Sequence, residues 1–266
     1  MNLEIEGKKA LVTGGSRGIG FAIANRLAAE GCEVRLVARD AAVLEAARAR
    51  ILAARRAEVS VPVTVPVTVP VTVHAADLGD PEQLQGVFPL LQDVDILVNS
   101  AGAVPRGTVF EVSAQTFRAA FAVKVMGAID LSREALRYMC ARRSGVIVNI
   151  IGLSGERPNP RSVATSTANA ALIAFTQSVG SISVDDNVRV LGVNPGLIAT
   201  DRTASLTDAG DHVNSAAYRH LIATLPYGRM GTPEEIADVV AFLASPRATY
   251  MSGTVVTVDA GSRFRV

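Results

Sequence analysis

The chain has 266 residues and a formal net charge of +1, and 49% of it is apolar against 19% charged. This composition is typical of a protein with a well-buried core, and the small net charge provides no basic field for nucleic acid. The two cysteines, Cys32 and Cys140, have no metal-ligand neighbours in the sequence. They are predicted to be reduced thiols, and no metal site is expected. No signal peptide and no membrane span is predicted, so we expect a cytoplasmic protein.

Short β-branched segments alternate with longer amphipathic segments along the chain. The predicted strands are Lys9–Thr13, Glu33–Ala38, Val69–Ala75, Asp95–Val98, Gly145–Ile151, Val188–Val193 and Thr254–Val258. Helical patterns lie between them at 18–30, 40–57, 80–91, 113–142, 163–183 and 233–244. Apolar strands separated by helices predict a parallel sheet covered on both faces. We therefore expect a single domain over residues 1–266, with a Rossmann-type, doubly wound, seven-stranded parallel sheet in a three-layer α/β/α arrangement.

Two segments do not follow this alternation. Residues 203–225 have weak periodicity and are predicted to form a substrate lid over a site. Residues 62–73 read PVTVPVTVPVTV, and their three prolines exclude an interior strand along the whole repeat. We interpret the repeat as a duplication tolerated in a surface connection. The alternative is an oligomer contact made through its valine face.

A glycine-rich segment follows the first strand. Thr13–Gly20 reads TGGSRGIG and leads directly into a helical pattern. Glycines in such a turn permit a tight bend and the close approach of a pyrophosphate, while the helix N-terminus offers N–H groups to phosphates. Strand, loop and helix come in the order that dinucleotide binding requires. The residues expected to contact the cofactor here are Gly14, Ser16, Arg17, Gly18, Ile19 and Gly20.

The end of the second strand indicates which dinucleotide is bound. An acid at this place usually meets the 2′-hydroxyl of the adenosine ribose. The chain instead has Ala38 followed by Arg39, with Arg17 in the glycine loop, and two guanidinium groups suit a 2′-phosphate. The alternative for Arg39 is a solvent-exposed side chain without a ligand, and Asp40 is predicted to cap the next helix. We therefore predict NADP(H) rather than NAD(H).

With these features, the chain resembles the short-chain dehydrogenase/reductase family over its whole length. The matching segments are the TGxxxGxG loop at Thr13–Gly20, the adenine-contacting turn at Ala76–Leu78, the NNAG-like segment at Asn99–Gly102, the nicotinamide loop at Asn194–Thr200 and the C-terminal portion at Tyr227–Glu235 and Ser252–Gly261. The further cofactor contacts that the resemblance implies are Asp77, Leu78, Asn99, Ala101, Gly102, Asn169, Pro195, Gly196, Ile198 and Thr200.

The resemblance also implies that the chemistry of the family is altered here. Its members use an Asn, a Ser, a Tyr and a Lys, the last two spaced as YxxxK. In this sequence these positions correspond to Lys124, Gly152, Thr165 and Asn169, so all four are replaced. A threonine hydroxyl is too weak an acid to replace a lysine-assisted phenol at neutral pH. Asn169 is neutral and retains only the capacity to bind a ribose hydroxyl.

Lys124 is the most informative of these replacements. It shares a helical face with Phe117 and Phe121, so its amine either reaches the cofactor cleft or extends to solvent or a structural acid. At the cleft it would act as a proton donor or as an electrostatic clamp on an oxyanion. Thr165 is the second candidate catalytic residue.

Other polar side chains are secondary candidates. Arg157 and Arg161 are interpreted as solvated, or alternatively as receptors for an acidic substrate. The predicted lid contains His212, Tyr218 and His220, which are interpreted as surface side chains or, alternatively, as proton donors.

The leading interpretation is an NADP(H)-dependent oxidoreductase that moves a hydride to or from a carbonyl, or an activated C=C, of a small molecule. The alternative is a protein of the same fold that binds NADP(H) without redox turnover, as a sensor or an inactive partner subunit. A non-redox enzyme, such as a lyase, is a third. Neither nucleic acid nor a membrane is expected as a partner. The helix at 113–140 is apolar around most of its circumference, which predicts a homodimer or homotetramer.

Overall fold

A computed structural model of the protein describes residues 1–58, 69–102, 104–204 and 222–265. In these ranges seven strands form one parallel sheet in the order β3-β2-β1-β4-β5-β6-β7. The order reverses between β1 and β4, as in a doubly wound Rossmann-type sheet. The predicted fold class is therefore confirmed. The strands are β1 (Lys9–Thr13), β2 (Glu33–Ala38), β3 (Val71–Ala75), β4 (Ile96–Asn99), β5 (Gly145–Ile150), β6 (Val188–Pro195) and β7 (Val255–Val258).

Helices cover both faces of this sheet. They are α1 (Gly18–Ala29), α2 (Ala41–Glu58), α3 (Pro81–Val87), α4 (Ala114–Phe121), α5 (Gly127–Ala141), α6 (Val163–Ile182), α7 (Asp201–Ala204) and α8 (Pro233–Ala244). One core packs α1, α2 and α8 against one face of the sheet. A second core packs α3 and α5 against the other. Side chains alternate between these cores along β1, with Ala10 and Val12 in the first and Leu11 in the second, as the pleat of a strand requires.

The helix predicted at 113–142 is interrupted. A π-helical turn, Ala122–Met126, separates α4 from α5. Such turns insert one extra residue into a helix and occur frequently at functional sites. Lys124 lies at the centre of this turn and is buried. Hydrophobic periodicity does not distinguish a continuous helix from one with a single wide turn, so the interruption was not predicted.

Two strand ends are joined where the sheet order reverses. The Thr13 hydroxyl, at the end of β1, accepts hydrogen bonds from the N–H groups of Ser100 (3.0 Å) and Ala101 (3.1 Å), directly after β4. It also approaches the carbonyl oxygen of Val98 at 3.4 Å. In doubly wound sheets ligands bind in the crevice at this point. The ends of β1 and β4 thus hold the loops that form one side of the site.

Several predicted features fall partly or wholly outside the described ranges. These are residues 205–221 of the predicted lid and residues 62–68 of the valine-proline repeat. The last proline of the repeat, Pro70, precedes β3, and its carbonyl oxygen accepts a hydrogen bond from the N–H of Val34 at 2.9 Å. Among the helices within the described ranges, none combines the length and the apolar character needed to cross a bilayer.

Candidate active site

A cleft of about 1020 Å³ opens at the carboxyl edge of the sheet. Its lining comes from the loops after β1, β4, β5 and β6, and from the start of α1, the π-helical turn and the first turns of α6. Both candidate catalytic residues and most predicted cofactor contacts therefore meet in one place. The predicted residues in the lining are Lys124, Thr165, Gly14, Arg17, Gly18, Ile19, Gly20, Gly102, Asn169, Pro195, Gly196, Ile198 and Thr200.

The remaining predicted cofactor residues lie beside the cleft or away from it. Arg39 is exposed just beyond the end of β2. Asp77 accepts a hydrogen bond from the N–H of Gly79 at 2.9 Å, and Leu78 is buried in the second core. The other predicted residues that do not line the cleft are Ser16, Asn99 and Ala101.

The side chain of Asn99 is part of a buried polar network under α5 and α6. Its Nδ2 donates hydrogen bonds to Oδ1 of Asn149 at 2.9 Å and to Oγ of Ser132 at 3.0 Å. Asn149 in turn donates to the hydroxyl of Thr176 at 2.9 Å. The Nδ2 atom of Asn99 therefore joins β4 to β5 and α5, while its buried Oδ1 accepts no hydrogen bond from the described residues.

The glycines of the loop after β1 allow a ligand to approach the backbone closely. A β-carbon at Gly20 would overlap the carbonyl oxygen of Gly14, so the chain can pass this tightly only with glycine. Arg17 precedes α1, and its side chain makes no capping hydrogen bond to the helix. Gly18, Ile19 and Gly20, in the first turn of α1, line the cleft, and N–H groups at a helix N-terminus suit an anion, as does the positive end of the helix dipole.

Asn169 gives an independent test of whether a dinucleotide fits. Its side chain is 2% exposed, and Nδ2 donates to the hydroxyl of Ser154 at 2.9 Å. Its Oδ1 is buried and accepts no hydrogen bond from the described residues. A buried acceptor without a donor is unfavourable, and a ribose hydroxyl would supply the missing donor. The residues in the lining thus fit a dinucleotide at both its pyrophosphate and its ribose.

Lys124 is buried at the inner wall of the cleft. Only 8% of the residue is exposed, and Nζ donates a hydrogen bond of 2.7 Å to the carbonyl oxygen of Ile151. The side chain therefore lines the cleft and is buried instead of extended into bulk solvent, while the role of its amine stays a prediction. A cation in a site of low dielectric would interact more strongly with a nearby oxyanion than it would in water.

Three further residues surround the same point. Gly152 follows Ile151 with φ +138°, a region of backbone conformation that only glycine adopts readily. A β-carbon at position 152 would lie 2.7 Å from Nδ2 of Asn169. Thr165 is half-buried in the lining, one turn before Asn169 on α6. Gly152, Thr165 and Asn169 thus share the lining of the cleft with Lys124.

The C-terminal segment, residues 257–265, is hydrogen-bonded to the rim of the cleft. Nη1 of Arg157 donates to the carbonyl oxygens of Ser262, Arg263 and Arg265 at 3.4, 3.1 and 3.2 Å. Arg157 is exposed, as one of the two sequence-based interpretations expected, but neither interpretation included a contact with a segment about a hundred residues away. Two residues of this region, Glu156 and Asn194, were not predicted as site residues, although Asn194 is the first residue of the predicted nicotinamide loop.

Tyrosine does not contribute to the lining among the described residues. Tyr227 and Tyr250 are exposed, and Tyr138 packs against the second core. His212, Tyr218 and His220 lie outside the described ranges. The groups in the lining that can carry charge are Arg17, Lys124, Arg157 and Asp201. The fold and this cleft define a dinucleotide-binding α/β protein.

Comparisons with known proteins extend this description. A family model described as enoyl-(acyl carrier protein) reductase matches residues 14–263. The 3-oxoacyl-(acyl-carrier-protein) reductase FabG of Aquifex aeolicus is 33% identical, over 98% of this chain and 99% of its own. Galactitol 2-dehydrogenase (L-tagatose-forming) of Cereibacter sphaeroides is 32% identical, over 97% and 95%. L-sorbose reductase from Gluconobacter frateurii, complexed with NADPH and L-sorbose, has a TM-score of 0.86 at 33% identity and covers 98% of each chain.

The chain belongs to the short-chain dehydrogenase/reductase family. Its matched relatives are oxidoreductases, and they cover nearly the whole of both chains. This agrees with the doubly wound sheet and with the glycine loop at the start of α1.

Proposed function

We propose that the protein is an NADP(H)-dependent oxidoreductase that transfers a hydride to or from a carbonyl, or an activated C=C, of a small molecule. Its acid–base residues would differ from those usual in the family, with Lys124 and Thr165 at the reacting end of the cleft. The observation that carries this proposal is the buried amine of Lys124, which shares one cleft with the glycine loop and with Pro195–Thr200.

NADP(H) would be held by three parts of this cleft. The first turn of α1 offers N–H groups for the pyrophosphate, and Oδ1 of Asn169 offers an acceptor for a ribose hydroxyl. The exposed side chains of Arg17 and Arg39, with Ala38 in place of an acid, favour a 2′-phosphate. When bound, this cofactor supplies or accepts the hydride.

Lys124 would act on the oxygen of the substrate. In the reducing direction its ammonium donates a hydrogen bond to the carbonyl oxygen and stabilises the negative charge that develops there. A proton held at Nζ then passes to that oxygen, giving the alcohol and leaving a neutral amine that water reprotonates. The contact with Ile151 fixes Nζ in the lining, so little reorganisation is needed during the reaction.

Thr165 and Asn169 would position rather than protonate the ligands. The hydroxyl of Thr165 can donate to or accept from a substrate oxygen, but it is too weak an acid to deliver a proton at neutral pH. The amide of Asn169 holds Ser154 on one side and would receive the ribose on the other. This assignment leaves Lys124 as the acid among the described residues of the lining.

The test is NADPH oxidation with a panel of aldehydes, ketones and activated alkenes, using wild type, Lys124→Met and Lys8→Met. Methionine keeps the aliphatic bulk of lysine, so a loss in Lys124→Met reports the missing charge. We expect turnover to fall by about 10²-fold or more in Lys124→Met. The Lys8→Met control removes an exposed lysine and should behave as wild type.

Two results would contradict the proposal. Equal turnover by Lys124→Met and wild type would remove Lys124 from the chemistry. Tight NADPH binding with no oxidation across the panel would favour the alternative, a protein that binds the cofactor without redox turnover.

A further inference from the structure

One peptide unit beside the cleft is hydrogen-bonded at both ends. The carbonyl oxygen of Ile151 accepts the bond from Nζ of Lys124, and the N–H of the same peptide, on Gly152, donates to Oδ1 of Asn194 at 3.2 Å. Hydrogen bonds in such a chain polarise one another, so each strengthens the next. The orientation of this peptide therefore determines where the carbonyl that holds Lys124 points.

The amide of Asn194 has only one orientation that satisfies its neighbours. Its Nδ2 donates to Oε1 of Glu156 at 2.7 Å, while its Oδ1 accepts from Gly152. A carboxylate accepts only and a backbone N–H donates only, so a flipped amide would lose both bonds. Asn194 is fully buried at the end of β6. It thus transmits the position of Glu156 to the Ile151–Gly152 peptide.

Glu156 is held in turn by the C-terminal segment. Its Oε1 also accepts a bond from the hydroxyl of Thr257 at 3.1 Å, and its Oε2 is ion-paired with Arg263. Asp259 fixes the local turn by accepting from the N–H groups of Gly261 and Arg263, both at 2.8 Å. The carboxylate of Glu156 therefore joins the C-terminal segment to the cleft wall.

We propose that Glu156 and Asn194 are positioning residues for Lys124, acting through the Ile151–Gly152 peptide, and that Arg263 of the C-terminal segment completes this arrangement. The inference rests on the proposed function only in giving Lys124 a catalytic role. The relay, which runs from Arg263 through Glu156, Asn194 and the Ile151–Gly152 peptide to Lys124, consists of contacts among the protein's own residues. It assigns to the C-terminal segment a part in the geometry of the active site.

The small number of lysines makes a direct test feasible. The chain contains three, Lys8, Lys9 and Lys124, against 23 arginines. Lysine-selective ¹⁵N labelling therefore yields three side-chain signals, and hydrogen exchange of each ammonium group can be followed by NMR. Lys8 and Lys9 are ion-paired at the opposite edge of the sheet and serve as internal references.

The variants are Asn194→Ala, Glu156→Gln and Arg263→Ala. We expect exchange at Lys124 to accelerate by about threefold or more in each, because weakening the relay loosens the bond to Ile151. Exchange at Lys8 and Lys9 should stay at the wild-type rate. Glu4→Gln, which breaks the carboxylate–arginine pair between Glu4 and Arg247, is the matched control and should leave Lys124 unchanged.

A merely structural role predicts a different pattern. If the three variants lower the unfolding temperature as Glu4→Gln does but leave exchange at Lys124 at the wild-type rate, the proposal is overturned. If Asn194→Ala does not fold, Glu156→Gln and Arg263→Ala decide the matter, since both side chains are partly exposed. The measurement needs no substrate, so its failure is distinct from a failure of the proposed oxidoreductase activity.

Discussion

The Nζ atom of Lys124 lies 2.7 Å from the carbonyl oxygen of Ile151, inside the cleft at the carboxyl edge of the sheet. The sequence comparison predicts that the catalytic lysine position of the family, on α6, is Asn169 in this chain. We infer that the positive charge of the site has moved from α6 to the π-helical turn before α5. The charge would then act on the substrate directly instead of through a tyrosine.

The proposed preference for a phosphorylated cofactor rests on Arg17, Arg39 and Ala38. We expect NADPH to bind more tightly than NADH by at least about tenfold, or about 1.4 kcal/mol. Arg39→Ala should weaken NADPH binding toward the affinity for NADH and leave NADH binding unchanged, since only the 2′-phosphate is lost as a partner. Fluorescence titration measures both affinities.

The control for this titration is Arg133→Ala, which removes an exposed arginine on α5 paired with Asp130. It should bind both cofactors as wild type does. Equal affinity of the wild-type protein for NADPH and NADH would contradict the prediction.

Gly152 occupies a backbone conformation that a larger residue cannot adopt without strain. At φ +138°, and with a β-carbon 2.7 Å from Nδ2 of Asn169, we expect Gly152→Ser to lose about 1–3 kcal/mol of stability. Gly86→Ala, in α3 with open space around it, is the matched control. It should be neutral or stabilising by up to about 1 kcal/mol. Urea unfolding compares the two variants, and equal stability of Gly152→Ser and wild type would refute the argument.

Glu235 makes the stability of the folded protein depend on pH in the acidic range. Hydrogen bonds from Arg229 and from the N–H of Thr232 lower the pKa of Glu235 to about 2. Its contribution is therefore fully present above its unfolded-state pKa of about 4.3 and is lost as pH falls toward 2. We expect the unfolding temperature of wild type to drop over this interval, and Glu235→Gln to show a smaller drop.

Glu234→Gln changes the neighbouring exposed carboxylate in the same first turn of α8 and serves as the control. It should follow the wild-type curve. Identical pH dependence for wild type and Glu235→Gln would show that this carboxylate does not contribute.

The oligomeric state is a further prediction. Met126, in the π-helical turn, is 50% exposed, and Ile182, at the end of α6, is 67% exposed. The expectation itself rests on the apolar circumference predicted for the helix at 113–140, the segment to which Met126 belongs. We expect a homodimer or homotetramer, and multi-angle light scattering measures the mass directly. A monomer at micromolar concentration would contradict this expectation.

Much of the fold follows from local sequence patterns. β1, β2 and α8 begin and end at the predicted residues. Asp40, predicted to cap α2, accepts a hydrogen bond from the N–H of Val43 at 3.0 Å. These features depend on residues close together in the chain. Periodicity, turn chemistry and capping preference are therefore sufficient to locate them.

The features of the site that the sequence did not predict are contacts between residues far apart in the chain. Gly152 and Asn194 are 42 residues apart, and Glu156 and Arg263 are 107 apart. Which of two polar residues meets a given backbone group is decided by how strands and loops pack. The bonds from Nδ2 of Asn99 to Asn149 and Ser132 are of the same long-range kind.

The most direct measurement is a crystal structure of the complex with NADP⁺ and an unreactive substrate analogue. The proposed mechanism predicts that Nζ of Lys124 lies within about 2.6–3.2 Å of the analogue's oxygen, or one water away, with the reacting carbon about 3–3.5 Å from C4 of the nicotinamide. A complex in which protein atoms separate the Lys124 amine from the nicotinamide, or in which the amine points to bulk solvent, would contradict it.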